Sequence, residues 1–147
     1  MPTTYYPVFI DVKGRNCVII GGGNIGEEKV HKLLDCEAKV VVISPEVNQG
    51  VQELVDNDRL VWHKREYQEG DLDGAFIAIA STDNNEVNRQ IAADAEDRNV
   101  LLNVVDVTHL CTFIAPSIAR RGDVTIAAST GGASPALARK FRELLNG

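Results

Sequence analysis

The sequence predicts an α/β protein built on a doubly wound parallel sheet. Three observations carry that expectation. Apolar runs of strand length alternate with segments of helical periodicity, the connections between them are short, and the strand-like runs are rich in Val and Ile with no polar alternation. Uninterrupted apolar strands belong to sheets buried on both faces, and regular strand–helix alternation points to parallel pairing.

Each element has its own signal. Tyr6 to Val12 is a short extended run, stopped by Lys13-Gly14. Asn16 to Ile20 is an apolar strand that ends in three glycines. Asn24 to Cys36 is a helix whose Ile25, Val30, Leu33 and Leu34 form one stripe. Lys39 to Ser44 is a β-branched strand ended by Pro45, and Glu46 to Asp56 is helical through Val47, Val51, Leu54 and Val55. Leu60 to Lys64 is a third strand, Ala75 to Ala80 a fourth after the turn-rich Glu69 to Gly74, Asn84 to Arg98 a helix, and Val100 to Val105 a fifth strand. After about Asp106 the pattern changes. Cys111 to Ile114 and Asp123 to Ser129 read as strands, separated by Pro116 and Arg120-Arg121-Gly122. A last helix runs to about Leu145, with Ser134 as its N-cap and Pro135 at its first position. This tail is too small for an independent core, so it is expected to pack on a partner or to extend the main sheet.

The composition narrows the function classes. The 147 residues make about one domain, and 44% hydrophobic with 24% charged residues is globular rather than disordered. No apolar run approaches the roughly 20 residues of a membrane helix, and no signal peptide or membrane association is expected. The three cysteines are odd in number and widely spaced, which fits neither a disulfide framework nor a zinc motif and points to a reducing cytoplasm. The net charge of −6 is uneven: residues 115–147 carry +3 and residues 1–114 carry −9. That balance argues against a nucleic-acid partner. The basic end suits a small anionic ligand, or is simply a solvated helix face.

The chemistry-bearing motif is Gly21-Gly22-Gly23-Asn24-Ile25-Gly26, a G-x-G-x-x-G pattern that follows an apolar strand and opens an amphipathic helix. That context makes it a dinucleotide site of the Rossmann type. Gly21 permits the turn, Gly23 lets backbone approach the pyrophosphate, and Gly26 lets helix and strand pack closely. The usual acid at the end of the second strand is replaced by Ser44-Pro45-Glu46; Glu46 is placed to reach the ribose or to stand as a helix N-terminal acid. No Arg or Lys follows that strand to take a 2′-phosphate, which favours NAD over NADP. Ser81-Thr82-Asp83-Asn84-Asn85 fits both a nicotinamide lining and a helix N-cap. Asp106 falls at the carboxyl edge of the fifth strand with His109 three residues on, a pair suited to handling a proton or a metal ion, though either residue also fits an ordinary turn or surface.

Together these segments closely resemble the precorrin-2 dehydrogenases, the N-terminal part of siroheme synthases. The resemblance rests on Tyr6 to Ile10, Val18 to Gly23 with Glu28-Lys29, Ile79 to Asp83 with Val87-Asn88, Asn103 to Asp106, Phe113 to Ser117, and Ser129 to Arg139, in order along nearly the whole chain. It implies NAD-dependent oxidation of precorrin-2 to sirohydrochlorin. In some members the same site inserts iron. It also implies a homodimer made through the segment after the nucleotide domain, a catalytic role for Asp106, and nucleotide contacts at Asn24, Ile25 and the Pro45-Glu46 region. The expected layout is an NAD-binding domain over 1–110 and a dimerisation segment over 111–147. The family's usual C-terminal helical domain lies outside this match. The substrate's carboxylates need cations and hydrogen-bonding groups; Arg120, Arg121 and Arg139 lie in the net-basic stretch, with Ser129 and Thr130 before the last helix. Asp106 and His109 alone are a weak metal site, and no metal site is expected.

Two other classes are weighed against this. A nucleotide-sensing regulatory domain, like those gating potassium transporters, shares the glycine motif and size but usually keeps the missing acid, and it does not require the Asn103–Asp106 or Gly131–Arg139 blocks. An NADP-linked carbonyl reductase of one large class would carry a Tyr-x-x-x-Lys pair, which is absent here.

Overall fold

The computed structural model describes residues 3–131 and 134–146. It falls into two compact units, one of Phe9–Thr112 and one formed by the described residues of 1–8 and 113–147.

The larger unit is a five-stranded parallel sheet of order β3-β2-β1-β4-β5. Its strands are β1 (Asn16–Ile20), β2 (Lys39–Ile43), β3 (Val61–His63), β4 (Ile77–Ala80) and β5 (Leu101–Val104), joined through helices α1 (Asn24–Asp35), α2 (Gln49–Asp56) and α3 (Asn85–Asp97). β1 is central and pairs with β2 on one side, Ile20 opposite Ile43, and with β4 on the other, Ile20 opposite Ala80. The strand order reverses between β1 and β4, the point at which a doubly wound sheet opens a crevice. Val18, Ile20, Ala78, Ala80, Leu102 and Val104 pack with Ile91 and Ala95 of α3 on one face. Cys17 and Ile19 alternate to the other face and are equally buried. The β3–β4 crossover contains no helix. Fully buried Leu72 plugs it into the core, and Arg65 clamps it by donating from two guanidinium nitrogens to Asp71 at 2.8 and 2.7 Å.

Three helices end alike. Glu37, Asp58 and Asn99 follow α1, α2 and α3 with φ of 64°, 56° and 55°. In each case the next two N–H groups fold back on the last turn, as Ala38 to Leu33 O and Glu37 to Leu34 O do. This is the left-handed helix stop that glycine usually makes.

The smaller unit holds the antiparallel pair β6 (Ser117–Arg121) and β7 (Val124–Ala128), followed by α4 (Pro135–Asn146). The Ser134 hydroxyl accepts from Leu137 N at 3.2 Å, the expected N-cap.

Several boundaries differ from expectation. The helix expected from Glu46 begins at Gln49, because the Asn48 side chain caps it by accepting from Val51 N. Tyr6–Val12 joins no strand ladder. Cys111–Ile114 is not a strand either. The Thr112 backbone N–H bonds Leu102 O at 2.8 Å and the Thr112 hydroxyl takes Leu102 N–H at 2.8 Å, so a side chain substitutes for ladder partners along β5. Ser117–Arg121, read as an interruption, is a strand, with Gly122 (φ 58°) in its hairpin turn. The two strands form their own sheet and do not extend the main one.

Candidate functional site

The glycine turn is pinned from both sides. Gly21 N donates to Ile43 O at 3.0 Å and Ser81 N to Ile20 O at 2.8 Å, so β2 and β4 hold the end of β1. Gly21 has φ +120°, and a Cβ there would overlap the Ser81 hydroxyl. A Cβ on Gly26 would stand 2.6 Å from Gly21 O, which is the close helix–strand packing that the motif predicts. At Gly23 a Cβ would meet nothing within 4 Å. Gly23 is the N-cap of α1 and no side chain caps that helix, whereas Asn48, Asn84 and Ser134 cap the other three. The first N–H groups of α1 therefore have no side-chain acceptor among the described residues. A helix start left open above a glycine fits the pyrophosphate of a dinucleotide. Asn24 and Ile25, both exposed, begin the helix there.

The loop after β2 is braced rather than loose. The Ser44 hydroxyl donates to Glu46 O at 2.6 Å, and Ser44 O accepts from the Trp62 indole at 2.9 Å. Pro45 and Glu46 are exposed. After β4, the Thr82 hydroxyl accepts from Asn84 N at 3.1 Å, and Asn84 accepts from Glu86 and Val87 N–H as the α3 cap. Asp83 is exposed. Asn88, buried, donates to Thr82 O at 3.0 Å, while its Oδ1 has no partner.

Asp106 follows β5 in a tight turn closed by Val107 N to Val104 O at 3.1 Å. Its φ is +63°. Among the described residues it is the one non-glycine in the left-handed region that does not close a helix. Position i+2 of such a turn is glycine's by default, and an aspartate held there is the kind of strain that gathers at functional sites. The turn is laced by Cys111, whose sulfur accepts from Val104 N at 3.2 Å and stands 3.4 Å from Val107 O. Burial raises that thiol's pKa. His109 lies on the following 3₁₀ turn, Thr108–Leu110, and like Asp106 is exposed. Among the described residues no three His, Cys, Asp or Glu stand close enough to hold a metal ion.

In the smaller unit Arg120 and Arg121 are exposed on β6, opposite Thr125 and Val124. Both belong to the wall of a cavity of about 200 Å³ with Ile126 and Leu145. Arg139, also exposed, stands 4.0 Å from Glu143 one turn along α4. The Ser129 and Thr130 hydroxyls are engaged locally, accepting from Gly131 N at 3.0 Å and Ser134 N at 2.8 Å.

Sequence reasoning assigned no role to Gly22, Glu27, Lys29, Asn48 or Asn88. A Cβ on Gly22 would overlap Glu46 O, so the third glycine exists because the β2–α2 loop closes on it. Asn48 donates to Glu27 and to Asn24, at 2.8 and 3.0 Å. Hydrogen bonds from His31 and then from Asn48 hold the Glu27 carboxyl below its usual pKa. The run of three glycines marked Gly22 in advance, and Lys29 and Asn88 stood in segments that carry the resemblance, but nothing marked Glu27 or Asn48.

Residues 8–117 match the family described as Putative NAD(P)-binding, and residues 121–147 match that described as Sirohaem biosynthesis protein central. The chain is 42% identical over 141 residues to a siroheme synthase of Photobacterium profundum, and 40% identical over 141 residues to one of Mannheimia succiniciproducens, covering 96% of this chain in each case. It spans 30% of the length of those relatives. Among solved structures, SirC, precorrin-2 dehydrogenase, superposes with a TM-score of 0.86 at 28% identity, over 96% of this chain and 69% of that one. No helix among the described residues is long and apolar enough to cross a membrane. An open α1 start, a braced β2–α2 loop and the switch point between β1 and β4 are the parts that a bound dinucleotide requires, and with the match over residues 8–117 the chain belongs to the putative NAD(P)-binding family, with similarity to siroheme synthases and to a precorrin-2 dehydrogenase.

Proposed function

We propose that this chain oxidises precorrin-2 to sirohydrochlorin with NAD. The observation that carries the reading is Asp106, held at φ +63° on the carboxyl edge of the sheet where α1 also opens. A carboxylate kept in a costly conformation beside a dinucleotide crevice is placed for proton chemistry. The likeness to siroheme synthases and to a precorrin-2 dehydrogenase structure supports the same reading.

Gly21, Gly23, Asn24, Ile25 and Gly26 hold the pyrophosphate. Ser44, Pro45 and Glu46 border the ribose, and Thr82 and Asp83 the nicotinamide side. Bound there, NAD supplies the two-electron acceptor. Asp106 accepts the proton that leaves the macrocycle, with His109 beside it in sequence to pass it to water. Arg120, Arg121 and Arg139 supply charge for the substrate carboxylates, with Ser129 and Thr130 as polar contacts. We assign nucleotide binding to 1–110 and dimerisation to 111–147. A homodimer is supported by the apolar groups that the tail exposes: Leu137, Phe141, Leu144 and Leu145 of α4, with Val124 and Ile126 of β7. Sedimentation of a Leu144→Asp chain as a monomer and of the parent as a dimer is the result expected; two identical species would remove the dimer. Three free thiols fit a reducing cytoplasm as its setting.

The test is anaerobic incubation of the purified chain with precorrin-2 and NAD, followed by the visible spectrum and NADH. Conversion to sirohydrochlorin, faster with NAD than with NADP, is expected. NAD binding without conversion would defeat the reading.

A further inference from the structure

We propose that Lys29 is an anion-anchoring residue of the crevice, its ammonium receiving one carboxylate of the substrate beside Asp106. The proposal rests on the dehydrogenase reading above. Lys29 stands one turn beyond Gly26 on α1, and Gly26 packs on Gly21 O and the Ser81 hydroxyl where β1 and β4 part. Residues three apart share a helix face, and a long helical side chain leans toward the N-terminal turn before it. Lys29 is thus the basic residue on the crevice side of the helix that opens the nucleotide site.

Its surroundings suit a cation awaiting an anion. Lys29 is half-buried. Burial, then the neighbouring Lys32, lowers its pKa, while Glu28 and Asp106 act in the opposite direction. The carboxylates nearest in sequence are committed elsewhere: Glu28 to Lys32 at 2.9 Å, and Glu27 to His31 and Asn48. Among the described residues no carboxylate lies within the 4.0 Å ion-pair distance of its Nζ. A partly desolvated ammonium without a partner is costly, and the cost is recovered when an anion arrives. Residues 1–114 carry −9, so a polycarboxylate approaching Asp106 meets net repulsion that one local cation offsets. A lysine gives a compact charge on a flexible stem and suits a single carboxylate oxygen in a narrow cleft.

The experiment compares the parent chain with Lys29→Met, Lys29→Gln and Lys29→Arg. The KM of precorrin-2 and of NAD is measured, with spectrophotometric titration of sirohydrochlorin as a binding readout independent of turnover. Loss of one charge-assisted contact should raise the precorrin-2 KM and the sirohydrochlorin Kd about tenfold or more in the Met and Gln variants, with the NAD KM unchanged and Arg recovering part of the loss. Unchanged tetrapyrrole affinity overturns the proposal. So does an equal rise in NAD KM, which would assign Lys29 to the cofactor phosphates. A parent chain that fails to turn over precorrin-2 defeats the dehydrogenase reading instead, and the sirohydrochlorin titration then decides Lys29 by itself: equal binding, or none, overturns it.

Discussion

Asn48 donates its side-chain amide to Glu27 Oε1 at 2.8 Å, so the residue that caps α2 also grips α1 beside the glycine turn. Its backbone N–H reaches further, to Gly22 O at 2.8 Å. One residue therefore sets the distance between the glycine turn proposed to hold the pyrophosphate and the loop proposed to border the ribose.

Replacing Asn48 separates capping from bridging. Asn48→Ala loses both and should destabilise the chain by about 1–2 kcal/mol, with weaker NAD binding. Asn48→Asp keeps an acceptor for Val51 N but sets a carboxylate against Glu27; adding Glu27→Gln should recover most of that loss. Urea midpoints and NAD titrations of the parent, these variants and Glu27→Gln alone check this, and an additive Asn48→Asp/Glu27→Gln variant would show that the bridge carries no energy.

Gly22 and Gly23 are adjacent but should respond oppositely. Alanine at Gly22 drives its Cβ into Glu46 O and Val47, backbone that cannot move without shifting the loop. About 1–3 kcal/mol of stability should go with it. Alanine at Gly23 meets nothing within 4 Å, and φ of −86° suits any residue. That variant should fold with a normal melting temperature yet bind NAD at least about tenfold more weakly, because its methyl enters the space where backbone meets pyrophosphate. Similar melting temperatures for the two would contradict the assignment.

The β3–β4 crossover predicts a pH dependence. Burial acts to raise the Asp71 carboxyl, but the Arg65 guanidinium and the Gln68 N–H outweigh it and hold the carboxyl below the ordinary aspartate pKa. A folded value below the unfolded one means that this stabilisation is complete above the unfolded pKa, about 3.9. It is lost as pH falls through the folded value. Asp71→Asn should lower stability at neutral pH and flatten the acid limb of the stability curve below about pH 4. Parallel limbs for both proteins in acid unfolding would rule the pair out as a contributor.

What was legible in the sequence is what neighbours in the chain decide. Gly21, Gly23 and Gly26 announced their turn because all three fall within six consecutive residues at a fixed spacing, and the five parallel strands announced themselves as apolar runs. The unreadable part depends on distant partners. Thr112 satisfies β5 with a hydroxyl rather than a ladder, so Cys111–Ile114 looks like a strand and is not one. Ser117–Arg121 looks like a break because two arginines lie on a small two-stranded sheet with exposed positions. Asn48 has no local signal beyond its cap, since Glu27 is 21 residues away. The Asp106 position at the strand end was readable, but its left-handed backbone was not.

That backbone makes Asp106 a test of stability against function. Glycine adopts φ of +63° freely and aspartate does not, so Asp106→Gly relieves strain while giving the unfolded chain more freedom to lose. The two effects are each about 1 kcal/mol and opposed, so the variant should be no less stable than the parent by more than about 0.5 kcal/mol. Asp106→Ala has no such relief and should be the less stable of the two. Asp106→Asn tolerates the left-handed region and isolates the charge. All three should lose about 10²-fold or more in kcat for precorrin-2 oxidation, if the carboxylate is the proton acceptor. NAD affinity should stay at the parental value in each. Intact turnover in Asp106→Asn would leave the strained turn without a catalytic purpose, whereas a stable, NAD-binding, inactive Asp106→Gly would show that the chain accepts the strain in order to place the carboxylate.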